Sequence, residues 1–377
     1  MSNSSIKKVS IIIDDLRGDA FTLSGGGSWT VKKADQWFNG TTQLLESATD
    51  STDPKQLGTL RMSFNGTSVA LFGTTPPSSS SQTMSVSIDG STASNTSYSD
   101  PNPQTYRQWY QSPVLADGLH NLTLGNIAGT ALDFAVVTVG PDTPLNAQTV
   151  IVDNDDPAMV YSKKKGKWRR NMSSFNSGPN PDGFGYGNTT HDTTYVGSSF
   201  SYNFSAVSIG VYGVFSWSQV GSLSMEFSID GNPQKKDFVV TADTPQLKSE
   251  VGQEQNFLFY SFDFLLPGVH TLTVNVTDCQ NLAFSFDYLT YAPNFATLSA
   301  MPDVGIAASD DDGTSGDGDS EKTKSSKGVI IGAVIAAVAL LLLITGSAFF
   351  LRRRKRRNGG AGLMGKVNSN SKYTPSK

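Results

Sequence analysis

Cysteine, histidine and catalytic signatures are scarce in this chain. A single cysteine in 377 residues, Cys279, excludes an intrachain disulfide and any CxxC metal or redox motif. Its expected role is an ordinary half-buried side chain near a turn. Domains of about 140 residues bury enough core to dispense with disulfides. Only three histidines occur, His120, His191 and His270, and no HExxH, GxSxG or P-loop pattern accompanies them. No carboxylate pair can be named for glycoside hydrolysis, so the expectation is a non-enzyme with no cofactor and no metal. At the start, MSNSSIKKVSIIIDD offers an apolar run only from Val9 to Ile13. A signal-peptide core needs about 7–15 residues. Either a leader precedes this start, which is the favoured expectation, or a later apolar segment is the targeting signal.

One apolar run is long. Gly328 to Leu351 has no charge and no proline, and Thr345 and Ser347 are its polar members. Its 24 residues would form a helix of roughly 36 Å, enough to cross a bilayer core of about 30 Å. Arg352 to Arg357, RRRKRR, follows directly, and no acid occurs from there to Lys377. Positive charge beside a span stays cytoplasmic. The expected localisation is therefore the plasma membrane, single-pass, with the N-terminus extracellular and residues 352–377 as a basic cytoplasmic tail. The same run would attract anionic lipid; read beside a span, it is no nucleic-acid patch. Gly328, Gly332 and Ala336 form a small-residue line suited to a helix homodimer.

Ahead of that segment the chain repeats itself. Ile12-Ile13-Asp14 matches Ile151-Val152-Asp153, and Trp29 matches Trp168, both 139 residues on. FNGTSVALFG (Phe64 to Gly73) matches FSAVSIGVYG (Phe204 to Gly213), and MSVSIDG (Met84 to Gly90) matches MEFSIDG (Met225 to Gly231). DGLHNLTL (Asp117 to Leu124) matches PGVHTLTV (Pro267 to Val274), and FAVVTV (Phe134 to Val139) is aligned with FDYLTY (Phe286 to Tyr291) at an offset of 152. The spacing only grows, as loop insertions in a second copy require. Module 1 is placed at 1–142 and module 2 at 143–293. Val9 to Asp15 is thus the opening strand of the first copy rather than a leader. Short alternating runs rich in Val, Ile, Phe and Tyr, separated by Gly, Asn, Asp, Pro and Ser clusters, read as strands. Asp89-Gly90 and Asp230-Gly231 are hairpin signals. The fold class is all-β, two tandem antiparallel sandwiches. Residues 294–327 lose the strand pattern and end in Gly, Ser, Asp and Lys, the composition of a flexible stalk.

In the second copy the order is Val152-Asp153 near Pro157, Trp168, TTHDTTYVG, FSYNFSAVSIGVYG, SIDG, GVHTLTV and FDYLTY. This order resembles the galactose-binding-domain-like jelly-roll modules of predicted single-pass surface proteins of mushroom-forming fungi. Those proteins often carry two modules, a stalk, one helix and a basic tail. The resemblance covers nearly the whole chain and implies jelly-roll topology and carbohydrate binding, without an established ligand set to carry over. The first copy departs from it, with no counterpart to His191 and a polar 41–58 segment. The second module is therefore the better candidate for a ligand.

Sugar recognition needs exposed aromatic faces beside polar groups. The candidates are Trp168, Tyr186, His191, Tyr195 and Trp217 in the second copy, with Trp37 and Trp109 in the first. Trp217, in the loop VFSWSQVG, is the expected exposed anchor, whereas the match between Trp29 and Trp168 also fits a shared core role. His120 and His270 share a repeat position and are expected to make turn hydrogen bonds. Asp14, Asp15, Asp153, Asp155 and Asp156 gather at the two opening strands and are assigned to turn capping rather than to calcium. Nine Asn-X-Ser/Thr sequons precede the apolar segment. Asn39, Asn65, Asn95, Asn121, Asn171 and Asn188 are the expected glycosylation sites; Asn3 completes the terminus, and Asn203 and Asn275 fall within strands. The functional expectation is a glycan-binding sensor or adhesin, with a structural or protein-interaction ectodomain as the alternative.

Overall fold

The isoleucines of the first strand divide between two cores. Ile11 and Ile13 enter one buried apolar cluster with Val150 and Val152, while Ile12 enters a second with Ile151. That alternation is what a strand covered on both faces requires. The computed structural model describes residues 9–25, 29–46, 57–98, 104–163 and 167–307, and its long elements are all strands. The first repeat contains β1 (Ser10–Asp14), β2 (Phe21–Ser24), β3 (Trp29–Lys33), β4 (Thr41–Leu45), β5 (Gly58–Gly66) and β6 (Ser68–Thr74). It continues with β7 (Thr83–Ile88), β8 (Ser94–Ser97), β9 (Tyr106–Gln111), β10 (Gly118–Ile127), β11 (Ala131–Leu132) and β12 (Phe134–Thr138). The second contains β13 (Thr149–Asp153), β14 (Val160–Tyr161), β15 (Arg169–Asn171), β16 (Thr190–Thr193) and β17 (Ser199–Ser216). It ends with β18 (Gly221–Ile229), β19 (Asn232–Val240), the one-turn helix α1 (Pro245–Lys248), β20 (Gln253–Phe262), β21 (Gly268–Gln280) and β22 (Phe284–Pro293).

Pairing in the two repeats is the same. In the first, β2, β5, β10, β7 and β8 form a five-stranded sheet; in the second, β14, β17, β21, β18 and β19 pair in that order. Along β5 the buried Leu60, Met62 and Phe64 alternate with Arg61, Ser63 and Asn65. Where the first repeat breaks between β5 and β6, β17 runs on for 18 residues. The last sequence match needs a correction. Ile13 pairs with Ala135 and Val152 with Leu289, so Asp133 corresponds to Asp287 and the offset there is 154. A slip of two residues leaves every side chain on the same face, which is why the hydrophobic pattern alone tolerated it.

The repeats are fused rather than strung apart. β1 pairs antiparallel with β13, Ser10 opposite Ile151 and Ile12 opposite Thr149, so one sheet runs through both. The second core mixes Ile12, Phe38, Phe72 and Phe134 with Ile151, Phe175, Val214 and Tyr288. A buried polar network crosses the same junction. Asn256 Nδ2 donates to Tyr106 Oη at 2.9 Å, Gln36 O at 3.0 Å and Asp133 Oδ2 at 3.2 Å. Its Oδ1 accepts from Tyr288 Oη at 3.0 Å, and Tyr106 Oη donates to Asp133 Oδ2 at 2.8 Å. Burial holds the Asp133 carboxyl well above the usual carboxylate range.

Residues 294–307, expected as the start of a flexible stalk, are packed in the fold, and residues 308–327 lie outside the described residues. After β22 the chain packs back on the sheet: Leu145 N donates to Ala296 O and Ser299 N to Pro141 O, and Asn203 Nδ2 donates to Val304 O. Phe295 and Ala307 are buried. These contacts come from residues distant in sequence, so local composition missed them. Gly328–Leu351, with its small-residue line, Arg352–Arg357 and Asn3 lie outside the described residues. Among the described residues, no helix is long and apolar enough to cross a membrane.

Candidate functional site

The turn after β13, Asp153 to Ala158, is tied by its own carboxylates. Asp153 Oδ1 accepts from Asp155 N at 2.8 Å, and Asp156 Oδ1 accepts from Ala158 N at 2.8 Å. The capping assignment holds for these two. The Asp153 carboxylate lies against Gly187, whose φ is +65°; a Cβ there would collide with it, so the close approach needs glycine. Burial, with repulsion from Asp155 and Asp156, pushes the Asp153 carboxyl up to about 6. Asp155 is held low, first by Arg170, whose Nε reaches its two oxygens at 2.9 and 2.8 Å. Thr189 Oγ1 donates to Asp155 Oδ2 at 3.2 Å.

Asp153, Asp155 and Asp156 line a cleft of about 1000 Å³. Ser10, Ile151 and Tyr186 line it as well, with Leu298 and Met301 to Ile306. The cleft therefore combines carboxylate acceptors with apolar surface from Pro157, Ala158, Val304 and Ile306. Its volume is at the upper end of the roughly 300–1,000 Å³ typical of ligand sites. Tyr186 is fixed: its N donates to Asp287 Oδ2 at 3.1 Å, its ring meets Phe72 at 5.5 Å and its hydroxyl bonds Ser10. Burial holds Asp287 well above the usual range. Among the described residues, no three His, Cys, Asp or Glu side chains converge in a metal-holding arrangement.

The five aromatic and imidazole candidates do not converge. Tyr186 lines the cleft. His191 sits behind it, its Nδ1 2.7 Å from Asn154 Oδ1 and its ring stacked on Tyr161 at 4.2 Å. Asn154 gives its own amide to Thr189 O, so its oxygen accepts and the His191 Nδ1 carries the proton. Burial holds that imidazole below its usual value. Trp168 packs edge-on against Tyr161 at 5.0 Å and near Phe200 and Phe284, and its indole N–H goes to Ser199 O at 3.1 Å; it serves the core. Tyr195 is exposed, with Lys167 Nζ 5.5 Å from its ring centre. Trp217, expected as the exposed anchor, is half-buried against Phe215 and Phe257. Its N–H is taken by the buried Glu254 at 2.7 Å, a demand no local pattern announces. In the first repeat Trp109 is buried and Trp37 packs 5.8 Å from Tyr106. Asp303 and the other lining residues between 298 and 306 were missed because the segment past 294 read as stalk, and Arg170 because only the fold brings it to Asp155.

His120 and His270 are structural. Each bonds the turn aspartate, Asp89 or Asp230, through Nδ1 at 2.7 Å, and the carbonyl of Ala116 or Leu266 through Nε2 at 2.8 or 2.7 Å. Of the sequons, Asn39, Asn65, Asn95, Asn121 and Asn188 are exposed and Asn171 is half-buried. Asn203 is committed through its amide to Val304 O, and Asn275 is half-buried within β21.

No family model and no curated protein matches this chain. Among solved structures it is similar to a xanthan lyase from Paenibacillus, at 14% identity and TM-score 0.25, over 78% of this chain and 27% of that one. It is also similar to the CBM22-1–CBM22-2 tandem of Paenibacillus barcinonensis Xyn10C, at 11% identity and TM-score 0.24, over 78% of this chain and 100% of that one. A two-domain esterase active on acetylated mannans, crystallised with mannopentaose, matches at 13% identity and TM-score 0.28, over 41% of this chain and 40% of that one. The chain thus spans about a quarter of the lyase. Scores this low assign neither a ligand nor a fold family to it.

Proposed function

We propose that this chain is a glycan-binding surface protein, with jelly-roll modules held at a membrane by Gly328–Leu351, and that the cleft beside Asp153–Ala158 is its binding site. The observation that supports this reading is the composition of that cleft. Carboxylates accept hydrogen bonds from sugar hydroxyls, and Tyr186, Val304 and Ile306 offer apolar surface to C–H faces. Asp153 and Asp155 share one turn, and the Asp155 carboxylate is held by Arg170. The test is a glycan array with the full chain in detergent, repeated with Asp156→Ala. Binding that drops about tenfold or more in the variant supports the reading, at about 1.4 kcal/mol per tenfold. No signal on any glycan sinks it. Because the ionised form of Asp153 is the better acceptor and its carboxyl sits at about 6, affinity should fall as the pH drops from 7.5 to 5.

A protein-interaction ectodomain is the second reading. It is favoured by Phe264 and Leu266, 97% and 85% exposed on the loop before β21. Replacing both by serine should then abolish capture of a protein partner and leave glycan binding intact.

A further inference from the structure

The β1–β13 junction carries an approximate internal twofold axis between Ile11 and Val150. Rotation about it exchanges Ser10 with Thr149, Ile12 with Ile151, Asp14 with Asp153, and Phe38 with Tyr186. The ring contacts obey the same exchange: Phe38 meets Tyr212 at 5.8 Å, as Tyr186 meets Phe72 at 5.5 Å. The axis therefore predicts a counterpart to the cleft described above, and one is present. A second cleft of about 380 Å³ is lined by Ile12, Asp14, Arg17, Thr149, Tyr212 and Asp263.

Its chemistry differs from that of the first. The two residues after the opening strand's second acidic position are Leu16 and Arg17, where the other repeat has Asp155 and Asp156. A cation thus stands where the first cleft has an acid, and Asp263 supplies a carboxylate from the second repeat. Ser208, Ser261 and Thr290 also line it. Carboxylate, guanidinium and hydroxyls beside Tyr212 suit a polyol of one or two sugar rings, and the volume limits the ligand to about that size.

Both clefts use the strand face bearing Ser10, Ile12 and Asp14 together with Thr149, Ile151 and Asp153, so both lie on one face of the fused sheet. Asp14 lies four residues past the Ser10–Ile151 pair and Asp153 two residues past it in the other direction. At about 3.3 Å per residue the two carboxylates are roughly 20 Å apart.

We propose that the second cleft is a second glycan site, so that one chain grips a polysaccharide at two points on one face. This rests on the glycan-binding reading of the first cleft. Two contacts held rigidly at that spacing would raise avidity without any new chemistry. The sequon Asn39 also lines the second cleft, so the test uses enzymatically deglycosylated protein. The experiment is native mass spectrometry of the full chain in detergent with mannopentaose and, separately, galactotetraose. The expected result is two bound equivalents of one of these. Arg17→Ala and Asp263→Ala, both near the surface, should each reduce this to one, and so should Asp156→Ala; melting temperatures would show each variant folded. One equivalent in the parent chain, lost with Asp156→Ala and untouched by Asp263→Ala, overturns the second site and leaves the first standing. No binding of either oligosaccharide overturns both.

Discussion

At the scale of single residues, the clearest chemistry is the buried carboxyl of Asp15 beside Asp14. Asp15 Oδ1 accepts from Thr41 Oγ1 at 2.8 Å, while Asp15 Oδ2 and Asp14 Oδ1 are buried with no other donor. Burial, reinforced by Asp14, pushes the Asp15 carboxyl from 3.8 to about 7. The native state then binds more protons than the unfolded chain between those values. Stability is fully present below about pH 4 for this group and is lost as pH rises through about 7. The raised carboxyls of Asp133 and Asp287 act in the same direction. The melting temperature should therefore be several degrees higher at pH 5 than at pH 8. Asp15→Asn, which keeps a donor toward Asp14 without a titration, should flatten part of that slope. A melting temperature that rises from pH 5 to pH 8 would contradict the raised Asp15 carboxyl.

At the scale of elements, the repeated aspartate–glycine turn is the best test of local encoding. Asp89 and Gly90 have φ of 52° and 72°, Asp230 and Gly231 have 53° and 79°, the left-handed pair of a tight hairpin turn. Asp230 Oδ1 accepts from Thr271 N at 2.8 Å and His270 holds its other oxygen, so the β18–β19 turn is clamped to β21. His270→Ala should lower the melting temperature by a few degrees and raise amide exchange at Thr271, with β18 elsewhere unaffected; unchanged exchange there would show the clamp to be idle. This clamp was legible in the sequence, because Asp, Gly and His act through spacing that both copies preserve. Three features were not legible, each for a physical reason. The register of β22 slipped by two residues because a period of two cannot see such a slip. The 298–306 segment was missed because Asn203 and Pro141 hold it from afar. Trp217 was misjudged because burial of Glu254, 37 residues on, decides where its indole points.

At the scale of the whole molecule, the question is whether two repeats fold as one. β1 would be a bare edge strand in an isolated first repeat, exposing Ile12 and a row of unpaired backbone groups. Pairing with β13 removes that edge, and the second core draws on both repeats. Heat should therefore unfold residues 9–307 in a single calorimetric transition, and two separated transitions would show that the fused sheet does not couple the halves. The most sensitive point is Asn256. It is buried at φ 54°, so an alanine there would add backbone strain to the loss of its amide. Asn256→Gly isolates the second effect, since glycine accepts that φ. The variant leaves the Tyr288 hydroxyl and the Gln36 carbonyl without this partner and Asp133 Oδ2 with only Tyr106. Each buried group left unsatisfied costs about 1–3 kcal/mol, less where water enters the space. Asn256→Gly should thus destabilise the chain by about 2–4 kcal/mol while keeping one transition, because the β1–β13 pairing and the shared apolar core remain. If the variant instead splits into two transitions, the polar network and not the fused sheet is what makes the halves cooperate. A loss below about 0.5 kcal/mol would show that water replaces the amide without penalty.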